Sequence, residues 1–226
     1  MLRRLRRLLF CWMFSLTFSA GFLNASSFLQ YSYVVTHHTG TVTQMGLVVA
    51  ENNWPLIKLY FGLIMAYIFG GVIAGMLFPK EIFTPQKRYG GILIILNGVL
   101  LILLQISALH SVLLYYLSFM IALQNGMFLS YRGMIVRTSH VSGTLTDIGL
   151  TFGRWVRSQN HHYKMKFIFL TVNFLAFLSG SLLAGILSTL IAFNLLYVNV
   201  MINIILGILS YILYFQFKAL DVEHLS

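Results

Sequence analysis

Apolar residues fall into six runs, near 10–30, 56–78, 90–109, 112–130, 167–189 and 192–217. Each approaches the roughly 20 residues that an α-helix needs to cross the hydrocarbon core of a bilayer. The pattern therefore predicts six transmembrane helices. A tight turn around His110 and Ser111 joins the third to the fourth, and Asn194 marks the equivalent turn between the fifth and sixth. Two shorter semi-apolar stretches lie outside the runs, from Thr41 to about Ala50 and from Thr144 to about Trp155. Each suits a half-helix and is too short for a span.

Both short stretches open with the same polar phrase. Thr36-His37-His38-Thr39-Gly40-Thr41-Val42-Thr43-Gln44-Met45-Gly46 recurs 103 positions later as Ser139-His140-Val141-Ser142-Gly143-Thr144-Leu145-Thr146-Asp147-Ile148-Gly149. His37 and His140, Gly40 and Gly143, Thr41 and Thr144, Thr43 and Thr146, and Gly46 and Gly149 fall in register, and Thr39 and Ser142 both carry a hydroxyl. A repeat near half the chain length marks a duplication; solenoid repeats run about 20 to 50 residues. Each half holds three spans, with its phrase between the first and second. Three is odd, so the second half enters the membrane upside down relative to the first. The expected fold class is an all-α integral membrane protein of six transmembrane helices, arranged as two inverted three-helix repeats, each with a re-entrant half-helix. It forms a single membrane domain over 1–226, with a first repeat over 1–110 and a second, inverted repeat over 111–226. Secondary transporters built on this logic place their sites near the midplane, where broken helices of both halves meet.

Local chemistry points the same way. Thr39 and Ser142 are suited to N-cap the half-helices, accepting from the free amides of the first turn. Gly40 and Gly143 would let the backbone bend or approach a ligand closely. A helix N-terminus aimed inward offers partial positive charge and free N–H groups, which suits an anion or a carboxylate. The alternative is that both phrases are surface loops leading into amphipathic interfacial helices. The five matched polar and glycine positions favour re-entry.

Composition narrows the class. Of 226 residues, 58% are hydrophobic and 9% charged, with a mean hydropathy of +0.83. A soluble domain carries roughly 25% charged residues, so lipid must solvate much of this surface. A net charge of +10 would suggest nucleic acid in a soluble protein, but its placement argues otherwise. Arg3, Arg4, Arg6 and Arg7 precede the first span; Lys80, Lys87 and Arg88 follow the second; Arg132, Arg137, Arg154, Arg157, Lys164 and Lys166 separate the fourth and fifth; Lys218 follows the sixth. That puts 14 of 15 Lys and Arg on one side, with Lys58 alone on the other. The positive-inside rule makes the basic side cytoplasmic, with both termini there. A cleaved signal peptide ending at Ser19-Ala20-Gly21 would leave five helices and break this pattern. The lone Cys11 permits no intramolecular disulfide.

Polar side chains within the spans are costly in lipid and face a cavity or a partner. Asn24 in the first span and Asn125, beside Gln124, in the fourth occupy loosely corresponding positions and join the candidate site. Asn97, Gln105, Asn173 and Asn203 suit interhelical hydrogen bonds worth about a kcal/mol or less; Asn199 is a further candidate. Histidine is the side chain whose ordinary range lies near neutral pH, so His37 and His140 are candidates for relaying protons or ligating a metal. Asp147 is the one acid near either phrase and stands opposite Gln44 in the repeat. It suits a coupled ion or proton site, a helix-dipole role, or an ion pair with Arg137 or Arg154. His161 and His162 sit in a cationic loop, where solvation is the simpler reading. Small residues at Gly70, Gly71, Ala74 and Gly75, and at Gly180, Ala184 and Gly185, predict close helix packing in the second and fifth spans.

The phrase His-x-Thr/Ser-Gly-Thr-x-Thr, together with its second copy Arg137-Thr138-Ser139-His140-Val141-Ser142-Gly143-Thr144-Leu145-Thr146-Asp147, resembles the YoaK family of bacterial inner-membrane proteins over essentially the whole chain. The resemblance implies a multi-pass protein of the bacterial inner membrane and says little about substrate. That family commonly carries an aspartate where Asn24 stands.

The expected function is a small secondary transporter or permease with a substrate or ion site built from His37, Thr39, Gly40, Thr41, Thr43, His140, Ser142, Gly143, Thr144, Thr146, Asp147, Asn24 and Asn125. A small anion fits the half-helix N-termini. The alternatives are a channel, a structural membrane partner without a transport cycle, and an intramembrane enzyme. The last lacks a Gly-x-Ser-x-Gly elbow and a His-Glu-x-x-His helix, so no catalytic residue, metal or cofactor is expected. Expected partners are the lipid bilayer, a second copy in a homodimer, and a small-molecule or ion substrate, with no nucleic acid.

Overall fold

The computed structural model describes residues 2–79, 86–106, 110–127, 130–131, 134–135 and 137–223. Lys80, Arg132 and the turn residues just before His110 lie outside the described residues. Among the described residues there are eight helices: α1 Leu2–Tyr31, α2 His38–Ala50, α3 Trp54–Leu77, α4 Lys87–Gln105, α5 His110–Gly126, α6 Val141–Ser158, α7 His161–Leu190 and α8 Leu196–Glu223. A two-residue antiparallel ladder pairs Ser130 with Ile135 and Tyr131 with Met134 between α5 and α6.

Five helices are long and apolar enough to cross a membrane: α1, α3, α4, α7 and α8. The fourth predicted run forms the shorter α5, of 17 residues. That helix stops at Gly126, a poor helix former, instead of continuing to residue 130. Apolar side chains stay uncovered along the long helices, such as Phe61, Ile68, Phe69 and Met76 on α3 and Met201, Ile205, Ile208, Ile212 and Phe215 on α8. A surface of this kind is stable with lipid as its solvent. The protein is a helical, multi-pass membrane protein.

Both predicted half-helices exist and begin earlier than expected, at His38 and Val141 in place of Thr41 and Thr144. Each runs into its neighbour through an elbow of the same design. The chain adopts left-handed φ at Asn52 (54°) and Gln159 (53°), which stops α2 and α6 from propagating. The next residue caps the following helix: Asn53 Oδ1 accepts from the Leu56 amide at 3.4 Å, and Asn160 Oδ1 from the His162 amide at 2.8 Å. Pro55 in the first turn of α3 suits a position where no amide partner exists. Asn194 caps α8 through the Leu196 amide at 3.0 Å.

The main packing pairs are α1 with α7, α3 with α5, and α4 with α8; α1 also meets α8, and α4 meets α5. The half-helix α2 lies on α3, and α6 lies on α7. Backbones approach closely where glycine permits. A Cβ on Gly180 would strike the carbonyl oxygen of Phe18, and one on Gly70 would strike that of Phe119. The α1–α7 and α3–α5 contacts thus use the same device, with small residues admitting a neighbouring backbone. The predicted stripes of small residues serve this purpose at Gly70 and Gly180, while Gly71, Gly75 and Gly185 face open space.

Gly180→Ala should lower the stability of the detergent-solubilised protein by about 1–3 kcal/mol through overpacking. Gly71→Ala should leave it unchanged. Thermal unfolding followed by intrinsic fluorescence checks both; equal effects would remove the close-approach argument.

Candidate functional site

The histidines occupy the position just before each half-helix. His37 precedes α2 and His140 precedes α6, and neither caps its helix through the side chain. Thr39 and Ser142, expected as N-caps, are instead the second residues of their helices. The imidazoles fold back over the first turn. A methyl group on Gly40 would lie 2.6 Å from Nδ1 of His37, and one on Gly143 would lie 2.5 Å from Cδ2 of His140. Both glycines keep negative or extended φ, so their part is to make room for a ring and not to bend the chain. This explains why histidine and glycine recur at a spacing of three.

The matched threonines are held by their own helices. Thr41 Oγ1 donates to the His37 carbonyl at 3.2 Å and Thr144 Oγ1 to the His140 carbonyl at 2.8 Å. Two residues on, Thr43 Oγ1 donates to the Thr39 carbonyl at 3.1 Å and Thr146 Oγ1 to the Ser142 carbonyl at 3.2 Å. Such back-bonding gives a hydroxyl an acceptor without a tertiary partner. Asp147 is exposed on α6, and no ion pair with Arg137 or Arg154 forms among the described residues.

Two asparagines anchor the non-helical chain in front of each histidine. Asn24 Oδ1 accepts from the Thr36 amide at 3.3 Å and from Thr36 Oγ1 at 2.8 Å. Asn125 Oδ1 accepts from the Ser139 amide at 3.2 Å and from Thr138 Oγ1 at 2.9 Å. Thr36 and Ser139 are equivalent positions of the repeat, so the two asparagines do the same work. Asn125 does more, donating to Ser139 Oγ at 2.6 Å and to the Tyr67 hydroxyl at 3.1 Å. The Tyr67 ring in turn lies 4.0 Å, centroid to centroid, from that of His38. Nε2 of His38 sits 3.4 Å from Ser118 Oγ. The first phrase thus touches the anchor of the second through one tyrosine.

The two phrases meet. A cavity of about 280 Å³ is lined by Asn24, Thr36, His37, His38 and Thr39 from the first half and by Ser139, His140, Val141 and Ser142 from the second, with Val34 and Phe177 as its further apolar wall. The first backbone bonds of the half-helices come from the Thr41 and Thr144 amides. The amides of His38, Thr39 and Gly40, and of Ser142 and Gly143, therefore remain free at the two helix starts. Among the described residues the lining holds no acid and no Lys or Arg. A narrow cleft shares His140, Val141 and Phe177 with the cavity and adds Arg137, Thr144, Thr17 and Asn173.

Of the expected site residues, Asn24, His37, Thr39, His140 and Ser142 line the cavity. Thr144 faces the cleft, and Asn125 stands behind as an anchor. Gly40, Gly143, Thr41, Thr43, Thr146 and Asp147 do not line the cavity. Val34, Thr36, His38, Ser139, Val141 and Phe177 line it and fall outside the expected set. The hydroxyls of Thr36 and Ser139 had a signal, being matched directly before the histidines; Phe177 on α7 had none.

A family described as "Protein of unknown function (DUF1275)" matches residues 12–209, and the chain belongs to that family. The match supports a family without an assigned function, as the resemblance implied, and does not itself carry the YoaK name. No curated protein and no solved structure matches the chain.

Asn125→Ala strips its partners of bonds to one buried amide and should destabilise the protein by about 1–3 kcal/mol. Asn24→Ala, which breaks fewer bonds, should cost less, and exposed Gln44→Ala should cost nothing measurable. Melting curves of the three variants check the ranking; an Asn125 variant as stable as the Gln44 variant would contradict the anchor role.

Proposed function

We propose that this protein is a small secondary transporter of the bacterial cytoplasmic membrane, carrying a small anion through a central site between two inverted repeats. The carrying observation is that both phrases, one from each half, line one cavity, and that the lining residues His38, Thr39 and Ser142 keep free amides at the two helix starts. Amide donors and the partial positive charge of helix N-termini favour an anion. The cavity matches roughly nine water volumes, which suits an inorganic oxyanion or a short organic acid. That His37 and His140 line the cavity supports a role for them in exchanging protons with the bound species. The reading is of a non-enzyme with no metal or cofactor.

Support for the inverted repeat comes from the packing. Exchanging the halves turns the α1–α7 contact into α5–α3, the α2–α3 contact into α6–α7, and α4–α8 into itself. The asparagine anchors, the histidine–glycine pairs and the Asn52–Asn53 and Gln159–Asn160 elbows exchange in the same way. This relation has α5 crossing as the fourth of six spans, and 17 residues is near the lower limit for doing so. Both termini are then cytoplasmic, as the basic residues require. Rocking one half against the other would open the cavity alternately. Arg137 lines the narrow cleft behind His140, so a cation stands next to the site.

Cysteines introduced singly along 38–50 and 141–158 in a Cys11→Ser background test the arrangement. An impermeant maleimide should reach the end of α2 from outside and the end of α6 from the cytoplasmic side. Labelling of both from one side would overturn the inverted repeat. In proteoliposomes, uptake of labelled acetate, phosphate or sulfate should exceed that of empty vesicles by at least about tenfold. Gly143→Leu, which displaces the His140 ring, should abolish the excess. Absence of uptake for every anion, with organic cations accepted instead, would overturn the anion reading.

A further inference from the structure

A second polar centre lies away from the histidine cavity, where α1, α4 and α8 cross. Asn97 on α4 and Asn199 and Asn203 on α8 are 1%, 0% and 1% exposed. Asn97 Oδ1, Asn199 Nδ2 and Asn203 Oδ1 are buried without a partner among the described residues. A buried polar atom left unpaired costs stability and is rare in folded proteins, where a bound water or ion commonly satisfies such groups.

Helix register brings them to one level. Gly90 lies against the Gly207 carbonyl, and the Tyr197 hydroxyl donates to the Leu104 carbonyl at 3.4 Å, so α4 and α8 run antiparallel. Midway between these contacts, residue 97 stands level with residues 202–203. Asn97 is two turns from Gly90 and so shares its face toward α8. Asn203 and Asn199 are one turn apart on the opposing helix and share Ser19 of α1 as a partner.

Existing bonds fix which way each amide is turned. Asn203 Nδ2 donates to Ser19 Oγ at 2.6 Å and to the Asn199 carbonyl at 2.9 Å. Ser19 Oγ donates to Asn199 Oδ1 at 3.1 Å. Asn97 Nδ2 donates to the Leu93 carbonyl at 2.9 Å. What remains wholly unpaired is two acceptor oxygens, on Asn97 and Asn203, and one donor nitrogen, on Asn199, which carries two N–H groups. A ligand that satisfies them must donate twice and accept once.

We propose that one buried water molecule occupies this crossing, donating to Asn97 Oδ1 and Asn203 Oδ1 and accepting from Asn199 Nδ2. Three bonds to otherwise unsatisfied groups is the typical complement of a buried water. A cation is disfavoured because the Asn199 N–H would face it and no carboxylate among these residues offsets its charge. The water makes the α4–α8 contact, which joins the two halves, a hydrated joint.

A map of the wild-type protein in a lipid nanodisc at about 2 Å resolution tests this without any substitution. Solvent density about 2.7–3.2 Å from all three amide atoms is expected. Absence of density, or amides paired with one another, would overturn the proposal. So would a peak at about 2.4 Å, as for an oxygen-bound cation, accompanied by a melting midpoint higher in sodium chloride than in choline chloride. Asn97→Val gives a second readout. If the water is bound, the variant breaks a satisfied network and the midpoint falls by about 2–4 °C or more. If the crossing is dry, the variant removes an orphaned acceptor and the midpoint rises.

Discussion

Non-helical backbone buried between helices must find hydrogen-bond partners within the protein, because an unpaired buried amide or carbonyl is costly. Two stretches of non-helical chain here lead into a histidine and a half-helix, and Asn24 and Asn125 meet that requirement. Each uses one amide oxygen to hold a backbone amide and a hydroxyl of the chain ahead of the histidine. The positions of both half-helix starts follow from these anchors. So does the cavity, whose walls are the anchored residues Thr36 and Ser139 and the histidines after them.

Around the anchors the bundle is held by contacts between halves more than within them. Helix α1 packs on α7, and α3 packs on α5, through glycines that bring a neighbouring carbonyl to the helix surface. Hydrogen bonds follow the same routes, as between Thr17 Oγ1 and Asn173 Oδ1 at 2.8 Å and between Trp12 Nε1 and the Leu206 carbonyl at 2.8 Å. The halves are not mirror-perfect. Tyr67 links His38 to Asn125, whereas Phe177, which lies beside Asn24 in the cavity wall, has no hydroxyl to give.

Much of this was legible in the sequence, for a physical reason. Hydropathy over about 20 residues reports lipid exposure directly, so five spans emerged with their ends nearly placed, and the repeated phrase marked both half-helices. What the sequence hid depends on three-dimensional pairing. Histidine and glycine three apart read as a bend near a ligand, yet the glycine makes space for the ring on the next helical turn. Thr39 and Ser142 read as caps because hydroxyls favour that place, but the helix starts at the residue before each of them. The elbows at Asn52 and Gln159 carry only short signals, an asparagine cap after each and Pro55 after the first. Phe177 and Tyr67 reach the site from other helices, and nothing near them in the chain announces it.

Cross-half packing also sets an order of assembly. Thr17, Ser19 and Trp12 of α1 find their partners 156 to 194 residues downstream. At about 5–20 residues per second of synthesis, α1 stands in the bilayer for roughly 8–40 seconds before α7 and α8 emerge. During that time Thr17 is not stranded, because its hydroxyl also reaches the Met13 carbonyl of its own helix at 3.2 Å. The nascent first half is therefore a waiting intermediate, and a ribosome that stalls before Asn173 leaves a membrane-inserted fragment with an open seam.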